Sequence, residues 1–68
     1  MSSLRKLTKL EAAAYQATQD AVAAVVLARL DGASEQEIAR LSRRAQGHRT
    51  QWQALASKLE TAEQRVYA

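Results

Sequence analysis

The stretch "LDGASEQE", residues 30 to 37, constrains this chain more than any other. It lies near the middle of a sequence without proline. It reads as a helix stop followed at once by a helix start. Gly32 suits the left-handed position just past a helix ending at Leu30 and Asp31, because it has no Cβ to clash there. Ser34 has the short hydroxyl that accepts from the free amides of a first turn, and Glu37 three residues on completes a capping box. Glu35 and Glu37 also sit well at the positive end of a helix dipole. Two long helices joined by so short a turn pack antiparallel. The expected fold is therefore all-α: a coiled-coil-like, two-helix hairpin, completed by a partner or by dimerisation.

The expected single domain covers residues 1–68, with helix 1 at about 4–30, a turn at 31–34 and helix 2 at about 35–66. The first helix has competing starts at Ser3, Leu4 and Lys9. A second capping-box pattern, Thr8 to Glu11, marks a point where the helix could become regular. Gly47 is either an outer-face position in one long helix or a break between two. The apolar spacing favours one helix, since a lone internal glycine costs only about 1 kcal/mol.

That spacing alternates three and four residues along helix 2: Ile38, Leu41, Ala45, His48, Trp52, Leu55, Leu59, Ala62 and Val66. It runs straight past Gly47 and forms a heptad seam. Helix 1 offers Leu7, Leu10, Ala14, Ala17, Ala21, Ala24 and Ala28. Equal rise per residue on either side of the turn sets the register. It pairs Leu7 with Leu59, Leu10 with Leu55, the small Ala13 and Ala14 with bulky Trp52, and Leu27 with Ile38. It also brings Arg5, Lys6 and Lys9 toward Glu60 and Glu63, and Asp20 toward Arg44.

The chain has 15 alanines, almost half of its apolar residues. Alanine buries little area, so a 68-residue hairpin of this composition is marginal alone. There is no cysteine, hence no disulfide staple. The N-terminal "MSSLRKLTKL" lacks the apolar core of a signal peptide, and the longest apolar run, 21–28, is too short to span a bilayer. A soluble, cytoplasmic protein without membrane insertion is expected.

Helix 1 is apolar on two sides. Its seam leaves out Tyr15, Val22, Ala23, Val26 and Leu30, while Val25 and Leu27 flank it. Helix 2 instead turns Arg40, Arg43, Gln46, Thr50, Gln53, Ser57 and Gln64 outward. A helix apolar all round is normally buried, and contiguous apolar patches mark contacts. Tyr15, Val22, Val25, Val26 and Leu30 are thus the candidate partner-binding residues. Isolated surface valines are common, and that is the bland alternative.

No catalytic residue, cofactor or metal site is expected. The serines and threonines lack a plausible base, and the single histidine, His48, lies in the apolar seam without companion ligands. The net charge of +3 permits an anionic partner. "RLSRRAQGHR" holds Arg40, Arg43, Arg44 and Arg49 with no acid, a possible anion-binding face. "EQEIARLSRRAQGHRTQWQAL" also faintly resembles a helix-turn-helix, although Arg43 stands where that motif expects glycine. Solvated arginine faces are commoner than binding ones.

"LARLDGASEQEIARLSRRAQ" and "WQALASKLETAEQRVY" resemble the small E-type co-chaperones of type III secretion needle subunits, the YscE, PscE and EscE group. The likeness covers residues 20–67 loosely and centres on Gly32, Ala33, Ser34, Glu35 and Gln36. It implies a helical hairpin that binds a tetratricopeptide-like (TPR-like) chaperone and, through it, keeps a bacterial needle subunit unpolymerised. The arginine cluster is more basic than that pattern. The alternatives from other classes are a homodimeric four-helix bundle binding nucleic acid through Arg40–Arg49, and a structural subunit of a larger assembly.

Overall fold

The computed structural model describes the backbone from Ser2 to Tyr67 and the side chains from Ser3 to Arg65. Two helices account for nearly all of it: α1 (Ser2–Leu30) and α2 (Glu35–Tyr67). They pack antiparallel into a rod of 50 × 14 × 13 Å. The 33 residues of α2 amount to about 50 Å at the α-helical rise, so this helix runs the length of the rod without a break at Gly47. A helix-turn-helix needs a turn within "RLSRRAQGHR"; α2 is continuous there, and that likeness fails.

The turn follows from its residues. Gly32 has φ +74°. The Gly32 amide donates to Arg29 O (3.2 Å) and the Ala33 amide to Ala28 O (2.9 Å). This Schellman pair caps α1 with carbonyls that would otherwise lack partners. Ser34 Oγ accepts from the Glu37 amide at 3.2 Å, and Ser34 O accepts the first helical bond from Ile38 at 3.0 Å. The capping box is only half made, because the Glu37 side chain reaches forward to Arg40 instead. Thr8 is not a cap either. Helix α1 already starts at Ser2, and the Thr8 hydroxyl donates to Leu4 O within it (2.9 Å).

The two glycines respond to substitution in opposite directions. A Cβ at either meets nothing within 4 Å. Gly47→Ala adds helix propensity at an exposed position and is expected to stabilise by about 0.5–1 kcal/mol. Gly32→Ala forces a Cβ into the left-handed region and is expected to cost about 1 kcal/mol. Thermal melts followed by circular dichroism should move apart accordingly; a shift of both in one direction contradicts this account of the turn.

On α2 the seam is the one the spacing predicts: Ile38, Leu41, His48, Trp52, Leu55, Leu59 and Ala62 are half-buried and Ala45 is buried. Val66 lies outside the described side chains. On α1 the seam is Leu4, Leu7, Glu11, Ala14, Thr18, Ala21, Val25 and Ala28. Every second expected position is displaced by one. Leu10 is 49% exposed, and Glu11 takes its place. Thr18 and Val25 are more deeply buried than Ala17 and Ala24. Leu27 stands out at 59% exposure rather than packing on Ile38.

Polar residues can hold these positions because their hydrogen bonds are made. The Thr18 hydroxyl donates to Ala14 O at 2.8 Å. Glu11 Oε1 accepts from Trp52 Nε1–H at 3.0 Å across the seam. Among the described residues the core proper is only Val25, Ala45 and Thr18, each at 8–9% exposure.

Candidate protein-docking groove

Rotation of the α1 seam toward Val25 decides what the outer face presents. Tyr15, Val22, Val26 and Leu30 are 44%, 44%, 50% and 77% exposed. These four expected partner-binding residues remain on the surface, spaced about one or two turns apart. Val25 does not join them. It is 9% exposed and belongs to the hairpin's own core, because the true seam runs Ala21–Val25–Ala28.

Tyr15, Val22 and Val26 of this stripe, but not Leu30, help form one bank of a groove of about 560 Å³. Tyr15, Val22, Val26 and Arg29 come from α1, while Ser42, Gln46, Arg49 and Trp52 come from α2. Val25, Thr18 and Ala45 form its floor. At one end the Tyr15 and Trp52 rings meet with centroids 5.3 Å apart and planes tilted by 59°, a favourable geometry for aromatic pairs. Gln19 Nε2 donates to the Tyr15 hydroxyl at 2.7 Å. The sequence pattern placed Trp52 in the seam but gave no sign of Glu11 or Tyr15 as its partners.

The opposite side carries a smaller hollow of about 330 Å³, lined by Ala17, Asp20, Ala21, Ala24, Leu41, Arg44 and His48. Among the described residues, no three His, Cys, Asp or Glu side chains are placed to hold a metal ion. No helix within them is long and apolar enough to cross a membrane.

The four arginines do not share one face. Arg49 lines the large groove and Arg44 the opposite hollow, while Arg40 and Arg43 border a third hollow beside Ser34 and Gln36. Successive helix positions are about 100° apart, which disperses a cluster that looks dense in the sequence. Arg40 is also engaged. Its Nη2 and Nε donate to the two Glu37 carboxylate oxygens at 2.6 and 3.1 Å. Those hydrogen bonds, and the charge behind them, hold the Glu37 carboxyl below its ordinary value of 4.5 and raise Arg40. This contribution to folding is present above Glu37's ordinary value and is lost as pH falls through the lowered one. Both side chains stand in solvent, which screens the pair.

Among the described residues, Arg40–Glu37 is the one ion pair within 4 Å. The expected pairings of Arg5, Lys6 and Lys9 with Glu60 and Glu63, and of Asp20 with Arg44, do not close. Exposed pairs gain too little to hold long side chains together. Asp20 instead accepts from Gln16 Nε2 at 2.9 Å.

No family model, curated protein or solved structure matches the chain.

Proposed function

We propose that this hairpin is a protein-binding co-chaperone. Its Tyr15–Val22–Val26–Leu30 face completes a larger TPR-like chaperone, and the pair helps keep a type III secretion needle subunit unpolymerised. The observation that carries the reading is the contrast between face and core. The four large apolar side chains of this α1 face are 44–77% exposed, while among the described residues the buried core is only Val25, Ala45 and Thr18. Helical-repeat chaperones offer extended concave surfaces that can take such a face. The mechanism is burial of self-associating surface, with no bond made or broken. The hairpin, the glycine turn and the cap at Ser34 agree with the family resemblance in the sequence.

The test is co-purification of the tagged chain from its source cells after nuclease treatment. A stoichiometric helical-repeat protein is the expected companion. Val22→Asp and Val26→Asp should each abolish that complex while far-ultraviolet circular dichroism stays helical, because a charge at an apolar contact is costly to desolvate. A complex that survives both substitutions rules out this face as the contact.

A further inference from the structure

We infer that the groove between Val22 and Val26 on one bank and Trp52 on the other seats a single amphipathic helix of a partner protein, with acidic residues on both of its flanks. This deepens the protein-binding reading and rests on it.

Charge is the first argument. The two charged residues lining the groove are Arg29 and Arg49. The hollow on the opposite side, in contrast, sets Asp20 beside Arg44. The chain as a whole carries +3. A partner whose apolar stripe is bordered by carboxylates would desolvate the valines and neutralise both arginines. A second copy related by a two-fold axis presents the same patch to itself. It would set this basic groove against another basic groove.

Area is the second argument. The hairpin exposes 5421 Å², whereas a compact protein of 7.5 kDa exposes about 4,200 Å². The excess exceeds the roughly 800 Å² that one partner contributes to a standard interface. A third helix in a groove between two antiparallel ones converts the rod into a three-helix bundle and removes that excess.

The arginines also set the geometry of the guest. Tyr15 and Arg29 lie about 21 Å apart along α1, so the guest helix needs about four turns. Arg29 stands at the turn end on the α1 bank. Arg49 stands on the α2 bank near the Tyr15–Trp52 end. Their axial separation corresponds to roughly twelve residues of helix. The guest's two acidic positions should therefore lie about that far apart, one on each flank of its apolar stripe.

The experiment uses the full chain and two synthetic helical peptides of about four turns with the same Leu/Ile heptad seam. One carries Glu at the two flanking positions and the other Lys. Binding is read by fluorescence anisotropy and by emission of Trp52, the sole tryptophan. The Glu peptide should bind at least tenfold more tightly than the Lys peptide, perturb Trp52 emission and weaken with added salt. In the exposed double variant Arg29→Glu, Arg49→Glu, with unchanged circular dichroism, the preference should reverse. Equal binding of both peptides, no binding of either, or an unchanged preference in the double variant overturns the inference. A concentration-dependent dimer dissolved by Val22→Asp also overturns it, since the groove then holds a second copy. Failure here with a Val22-dependent native complex intact leaves the co-chaperone reading standing. A peptide preference without such a complex does the opposite.

Discussion

Trp52→Ala should abolish cooperative unfolding of the hairpin at 25 °C. The indole is half-buried in the seam, donates to Glu11 at 3.0 Å and meets the Tyr15 ring at 5.3 Å. It is the largest side chain joining the helices. Truncating a core tryptophan costs about 3–5 kcal/mol, and partial exposure places this one near the lower bound. A domain of this size rarely carries more than about 3–5 kcal/mol in all, so the loss consumes most of it. Urea titration at 222 nm should show a broad slope where the parent shows a transition. Trp52→Phe keeps a ring in the seam but removes the donor and part of the aromatic surface. It should cost about 1–2 kcal/mol, from the lost bond to Glu11 and the smaller buried ring. If Trp52→Ala melts within a few degrees of the parent, the helices are held by something other than this cluster.

The second large effect separates two valines three residues apart. Val25→Asn should destabilise by about 3 kcal/mol, through lost apolar burial and an amide placed in the helix–helix seam without a built-in partner. Val22→Asn should cost less than about 1 kcal/mol, because substitutions at exposed positions are usually mild. The exposures, 9% against 44%, set this difference. Asparagine is chosen over aspartate because Arg29, one turn beyond Val25, could pair with a carboxylate. Guanidinium unfolding of the two variants is the measurement. Similar midpoints for both would mean that Val25 is no part of the seam.

That pair also marks where the sequence was legible and where it was not. The turn at Gly32, the cap at Ser34, the unbroken second helix and its seam could all be read from local chemistry. The first helix could be read only to within one position. Apolar spacing there selects Leu10, Ala17 and Ala24, and it rejects Glu11 and Thr18 as polar. Glu11 is held by an indole donor far along the chain, and Thr18 by the carbonyl four residues before it. A pattern of hydrophobicity encodes neither. The same displacement moved Val25 from the flank of the seam into the core, while Tyr15, Val22, Val26 and Leu30 stayed outside, because α1 is apolar on both sides. The arginines misled in another way. Closeness in sequence is dispersal around a helix, and Arg44 and Arg49 end on opposite sides of the rod.

The thinness of the core reaches beyond stability to supply. A fold whose interior, among the described residues, is Val25, Ala45 and Thr18 has little free energy with which to keep itself shut. Any occupant of the groove binds the closed form and not the open one, so it adds its own binding free energy to that small reserve. Copies without an occupant open more often and are cut sooner by proteases that act on open chains. The amount of this protein in a cell would then track the amount of its partner, with surplus removed by turnover and the ratio of the two held near one without a dedicated regulator.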